Sequence, residues 1–163
     1  QKHSVERGGR RDGTPALCPG LPPDGSWTGL AFHGVPGGHE FTSFVLGLYN
    51  AAGPGQALDE DTRAAIQSIQ KPIKLELLVS LSCTMCPELV TAAQRIAAEN
   101  PHITAQVFDL NHFPDLREKY QVMSVPCLVI NRWGAGIFRQ EKYPAVVGTF
   151  SIAGKPRYGP SGL

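Results

Sequence analysis

No run of apolar residues in this chain is long enough to span a bilayer. Neither sign of charge dominates: 15 Lys and Arg stand against 14 Asp and Glu, so charge implies no nucleic-acid or acidic-surface partner. The opening residues, Gln1-Lys2-His3-Ser4-Val5-Glu6-Arg7, lack the apolar segment of a secretory signal and an initiator Met. The expectation is a cytoplasmic chain that is a fragment or a processed product. Cysteine is scarce. Four in 163 residues do not make a disulfide scaffold, and without an export signal a close pair reads as catalytic or metal-binding rather than as a structural staple.

Residues 1–28 are basic and rich in Gly and Pro, with no apolar period, and are expected to form a flexible arm. Cys18, inside it, reads as a bystander thiol. Leu30 to Val35 predicts a short strand stopped by Pro36-Gly37-Gly38. From Glu40 a helix is signalled, with Phe41, Phe44, Val45, Leu48 and Tyr49 at helical spacing as its core face. Asp59 is the expected N-cap of a second helix, with Ala65, Ile66 and Ile69 on its buried side. Residues 73–132 then alternate strand and helix: Ile73 to Leu81, a helix from Cys83, Ile103 to Leu110, a short helix opened by Pro114, and Cys127 to Ile130. That order implies parallel pairing through a crossover. Gly136 to Arg139 reads as one more strand, and 141–163 as an irregular tail.

The chain is centred on Leu77-Leu78-Val79-Ser80-Leu81-Ser82-Cys83-Thr84-Met85-Cys86-Pro87. Two thiols three apart at a helix start close a disulfide with little backbone movement. The orphan N–H groups and the positive end of the helix dipole favour a thiolate on the first of them. Pro87 suits the first turn, where its missing N–H has no helical partner. At the end of a first strand in a β-α-β-α-β chain, the pair matches a thioredoxin-like redox site. Ser124-Val125-Pro126, just before the last strand, fits the cis-proline loop that faces such a pair.

Taken together, Gly37-Gly38-His39-Glu40-Phe41-Thr42-Ser43-Phe44-Val45-Leu46, the Cys83–Cys86 segment and Val122-Met123-Ser124-Val125-Pro126 resemble the N-terminal domain of the flavoprotein subunit of bacterial alkyl hydroperoxide reductase. The resemblance covers about residues 29–132. It implies a thioredoxin-like α/β fold, βαβαβ(β), over residues 71–140. Residues 29–70 are expected to be the closing strand and helix of an incomplete first thioredoxin-like unit plus a connecting helix, with truncation at both ends. It further implies that Glu40, as far before Cys83 as Pro126 lies after it, serves as acid/base beside the disulfide.

The function so implied is thiol–disulfide exchange, passing electrons from a flavoprotein donor to a peroxiredoxin subunit. Cys83 is expected to be the nucleophile and Cys86 the resolving thiol, with Thr84, Met85, Val125 and Pro126 forming the substrate-docking edge. FAD and NAD(P)H are expected only on a missing domain or a partner, and no cofactor in this chain. Three alternatives stay open. A zinc site would need Cys127 and His33 or His39 to complete the ligands. A copper-binding module also places Cys-x-x-Cys between strand and helix. An inactive scaffold would merely retain its thiols. Among single residues, Glu40 also reads as a first-turn helix acid, Glu76 as a solvated or edge carboxylate, and Cys127 as a small core residue. Oligomeric state is not readable.

Overall fold

A computed structural model describes residues 16–17, 27–132 and 139–141. The elements in chain order are β1 (Ala16–Leu17), β2 (Leu30–His33), α1 (Glu40–Ala52), α2 (Glu60–Gln67), β3 (Ile73–Val79), α3 (Cys86–Glu99), β4 (Ile103–Asp109), α4 (Asp115–Lys119), β5 (Cys127–Arg132) and β6 (Arg139–Glu141). The strands form one sheet in the order β1-β2-β4-β3-β5-β6. β2 and β3 both run parallel to β4, while β5 is antiparallel to β3 and β6 to β5. The segment β3-α3-β4-α4-β5-β6 is the thioredoxin-like unit that the sequence implies.

β3 is the central strand, and its composition says why. Ile73, Leu75, Leu77 and Val79 face one core, with Leu30 and Phe32 of β2, Ile66 of α2, and Cys86, Leu89, Val90 and Ala93 of α3. Leu78 faces a second core with Phe108, Phe113, Leu116, Tyr120 and Cys127. A strand covered on both sides needs apolar residues at successive positions. The sheet is thus covered by α3 and α2 on one face and by α4 and its flanking loops on the other.

Several elements differ from the sequence reading. Ala16–Leu17, within the stretch expected to be a flexible arm, pair antiparallel with Phe32 and His33. β2 joins the same sheet as β3 to β5, next to β4. Leu30 and Phe32 of β2 are fully buried against the core that β3 faces, and Ala31 between them is buried as well. Strand β6 is Arg139–Glu141; Gly136, Ile137 and Phe138 lie outside the described residues, as do Cys18 and residues 142–163.

The helix over Glu40–Ala52 forms, but its buried side is rotated from the one expected, with only Phe44 of the predicted face packed on the first core. Phe41, Val45 and Tyr49 are exposed and Phe44 and Leu48 half-buried, whereas Glu40, Ser43, Gly47 and Asn50 are buried. The small Ser43 and Gly47 allow close approach of α1 to α3, so the contact selects small residues over the apolar stripe. Asp59 caps α2 as expected, its carboxylate accepting from Thr62 N at 2.8 Å. Beyond α2, Asn100 at the end of α3 donates to the carbonyls of Ile66 and Ile69 at 2.6 and 2.9 Å, tying the two helix ends together.

Candidate active site

Cys83 and Cys86 form a disulfide with Cα atoms 5.5 Å apart, within the usual range. The helix begins at Cys86 rather than at Cys83. Cys83 lies in the preceding turn, where its N–H donates to Ser80 O at 2.9 Å. Pro87 sits in the first turn of α3, as its lack of a donor favours. The two sulfurs differ in access: Cys86 is fully buried and Cys83 half-exposed. Thr84 and Met85 between them are exposed.

The Val125–Pro126 peptide is cis. Val125 is half-buried against the same core that Cys83 and Leu81 touch, so the prolyl loop and the thiol turn share that core. Val125 and Pro126 are half-buried, and Met123 beside them is exposed.

Glu40 reaches this end of the sheet through the backbone. His39 N donates to Leu81 O at 3.1 Å, two residues before Cys83. Gly38 makes that approach possible: its φ is +53°, and a Cβ there would stand 2.6 Å from Leu81 O. α1 and α3 therefore both start beyond the C-terminal end of β3, on the same face. The Glu40 side chain is fully buried. Burial pushes its carboxyl above the ordinary carboxylate range, and a hydrogen bond with Ser43 partly offsets this. Oε2 is hydrogen-bonded to Ser43 Oγ, and Oε1 has no protein partner. Where the α1 and α3 surfaces meet, a groove of about 460 Å³ is lined by residues including Thr42, Ser43, Pro87, Glu88 and Arg95.

The residues named for a zinc site do not meet. Cys127 belongs to the second core, on the face of the sheet opposite the disulfide. His33 stacks on Phe108 of that same core, ring centroids 4.2 Å apart, and His39 is exposed at the start of α1. Among the described residues no group of three His, Cys, Asp or Glu side chains is placed to hold a metal. The Cys127 thiol is unbridged and buried, which pushes its pKa up and makes it a core side chain. Among the described residues no helix is long and apolar enough to cross a membrane.

Two features escaped the sequence reading. Glu76 is buried on the central strand, not solvated: Tyr120 Oη donates to its Oε2 at 2.7 Å and Lys74 Nζ lies 3.0 Å from its Oε1. Ser43, the partner of Glu40, carries a signal in its position three residues on, on the same side of the helix.

A family model of the thioredoxin domain matches residues 73–136. The alkyl hydroperoxide reductase protein AhpF of Pseudomonas aeruginosa is 36% identical over 148 residues, which is 88% of this chain and 28% of that protein. Among solved structures, an N-terminal domain of AhpF from Enterococcus faecalis has a TM-score of 0.67 at 38% identity, covering 78% of this chain and 60% of that one. A protein disulfide oxidoreductase from Aeropyrum pernix has a TM-score of 0.64 at 26% identity, covering 79% and 54%. The chain spans about a quarter of the length of the curated relatives it matches.

Proposed function

The chain is homologous to the N-terminal, thioredoxin-like domain of the bacterial alkyl hydroperoxide reductase protein AhpF, and from that premise we propose that it is a protein-disulfide oxidoreductase module passing electrons to a peroxiredoxin. The observation that carries the reading is the asymmetry of the pair: one sulfur half-exposed, the other sealed in the core, at a helix mouth next to a prolyl loop.

In the oxidised chain a donor thiolate attacks Cys83 Sγ and the Cys83–Cys86 bond breaks. Cys86 leaves as thiolate and takes a proton from Glu40. The donor's second thiolate then attacks its own sulfur in the mixed disulfide and expels Cys83 as thiolate. Two electrons have entered, and the donor is left as a disulfide. In the second half, the Cys83 thiolate attacks the peroxiredoxin disulfide and displaces one of its sulfurs. Cys86 gives its proton to Glu40, attacks Cys83 Sγ and releases the second peroxiredoxin thiolate, which restores the disulfide. A half-exposed sulfur suits the intermolecular steps and a buried one the intramolecular step.

Glu40 suits the proton transfers because burial holds its pKa up toward the range where it exchanges protons with a thiol. Exposed Thr84 and Met85, together with Val125 and Pro126, are the edge against which the extended peroxiredoxin segment lies. The donor in this reading is a flavoprotein; FAD and NAD(P)H belong to it. The setting is the cytoplasm, where such a pair cycles rather than resting oxidised.

The test mixes the reduced chain with an oxidised two-cysteine peroxiredoxin and follows thiols by alkylation and mass. The expected result is one peroxiredoxin disulfide reduced for each Cys83–Cys86 disulfide formed. Cys86→Ser should accumulate a mixed disulfide through Cys83, and Cys83→Ser should accumulate none. No exchange, together with stoichiometric zinc or copper on the reduced pair, would overturn the reading.

A further inference from the structure

Ser43 takes part in more hydrogen bonds with Glu40 than it has hydrogens to donate. Ser43 Oγ is within bonding distance of two oxygens of the same residue, the Glu40 main-chain carbonyl at 2.9 Å and the carboxyl Oε2. A serine hydroxyl has one hydrogen and two lone pairs. That hydrogen makes a full bond to only one of the two acceptors at a time. When Ser43 donates to the carbonyl, the bond to Oε2 requires a hydrogen on the carboxyl, that is, neutral Glu40. When Glu40 is ionised, the Ser43 hydrogen must turn to Oε2 and leave the carbonyl. Both side chains are fully buried, so no bulk water competes for either position.

We propose that Ser43 is the positioning residue of this site, holding the Glu40 carboxyl in both protonation states by turning its single hydrogen between the carbonyl and Oε2. The proposal rests on Glu40 being the acid/base of the exchange. The transfer it assists is Cys86–S⁻ with Glu40–COOH giving Cys86–SH with Glu40–COO⁻, and the reverse in the second half. Each loss of a proton from Glu40 is met by rotation of one hydroxyl, with no heavy atom moving. In a site that has removed the carboxyl from water, this replaces the donor that water would supply to the anion. The two influences on Glu40 oppose each other, as a bond from Ser43 to the anion requires: burial raises its pKa and the Ser43 bond lowers it.

Other ionisable groups on the surrounding elements do not take this place. On α3, Arg95 is paired with Glu99 at 2.9 Å and donates to Gln56 O at 2.6 Å, and Glu88 is exposed. On the start of α1, His39 is exposed. Glu76 belongs to the opposite face of the sheet, through Tyr120. The cysteine pair itself is the remaining group.

The experiment follows two readouts in the whole chain: the Glu40 carboxyl titration by carbon NMR in the oxidised protein, and the pH profile of exchange between the reduced chain and an oxidised peroxiredoxin. Ser43→Ala should move the Glu40 titration to higher pH and shift the corresponding limb of the rate profile the same way, slowing exchange at neutral pH by about 10- to 150-fold, a range set by one hydrogen bond to a charge. Ser43→Thr, which keeps the hydroxyl, should restore the parent limb. In a Glu40→Gln background, Ser43→Ala should have no further effect on the profile. A Ser43→Ala protein whose Glu40 titration is unmoved overturns the proposal. If Ser43→Ala does not fold, Ser43→Cys, a weaker donor of similar shape, should give the same shift in smaller measure, and no shift there overturns it equally. A profile that Glu40→Gln leaves unchanged counts against Glu40 as acid/base. A profile flattened by Glu40→Gln but unmoved by Ser43→Ala counts against Ser43 alone.

Discussion

Gly47 of α1 lies directly against the side-chain amide of Gln94 on α3: a Cβ at position 47 would stand 2.7 Å from Gln94 Oε1 and 3.0 Å from its Nε2. In a free helix alanine would be preferred to glycine by about 1 kcal/mol. Here the methyl must displace an amide that is itself 1% exposed. Gly47→Ala is therefore expected to lower stability by about 1 kcal/mol in urea denaturation, the overpacking cost outweighing the propensity gain. In a Gln94→Ala background the same change should become stabilising by roughly 0.5–1 kcal/mol, because the obstruction is gone. Equal effects in both backgrounds would mean that Gly47 is kept for another reason.

This contact explains which parts of the molecule the sequence made legible. Period and end signals located α1, α2 and the β3-α3-β4-α4-β5 unit, because the apolar spacing, the Asp59 cap and the prolines act within a few residues of themselves. The facing of α1 was not legible. Its apolar stripe, Phe41, Phe44, Val45, Leu48 and Tyr49, predicts the buried side, but only Phe44 and Leu48 of these are half-buried; the neighbour is another helix whose Gln94 and Arg95 are buried, and it accepts Ser43 and Gly47. Which face wins depends on α3, more than forty positions away in sequence. Glu76 failed for a similar reason: its partner Tyr120 comes from a loop after α4, and nothing local to Glu76 announces it. The disulfide and the prolyl loop were legible because their chemistry is written in adjacent residues, whereas Ser43 becomes visible only once the burial of Glu40 makes its hydroxyl matter.

The raised pKa of Glu40 carries a consequence for stability that does not depend on catalysis. In the window between its unfolded value and its raised folded value, the native chain holds a proton that the unfolded chain has lost. Its contribution is complete below the unfolded carboxyl pKa and disappears as pH rises through the folded one, with a slope of at most about 1.4 kcal/mol per pH unit. Urea denaturation of the oxidised chain from about pH 4 to pH 8 should show this fall, and Glu40→Gln should remove it, so that the variant gains on the parent as pH rises. A Glu40→Gln protein that tracks the parent at every pH would show that Glu40 titrates normally in the folded chain.

The Tyr120–Glu76 bond offers a control that separates stability from exchange. Glu76 sits on the central strand at 6% exposure, and its Oε2 accepts from Tyr120 Oη at 2.7 Å while Lys74 lies against Oε1. Removing the hydroxyl leaves a buried carboxylate oxygen short of a donor, a loss of about 1–3 kcal/mol. Tyr120→Phe is therefore expected to lower the urea midpoint with no change in the slope of the transition. Pairing it with Glu76→Gln should recover part of the loss, because a neutral amide tolerates the missing donor better than a carboxylate does. Tyr120 and Glu76 belong to the core on the far side of the sheet from Cys83 and Cys86. The reduced Tyr120→Phe chain, measured well below its unfolding transition, should thus exchange with an oxidised peroxiredoxin at the parent rate. A tenfold slower exchange in a protein that is still folded would mean that the two faces of β3 are coupled, and that the thiol turn depends on the strand's register at Leu77 and Leu78 rather than on the α1–α3 contact alone.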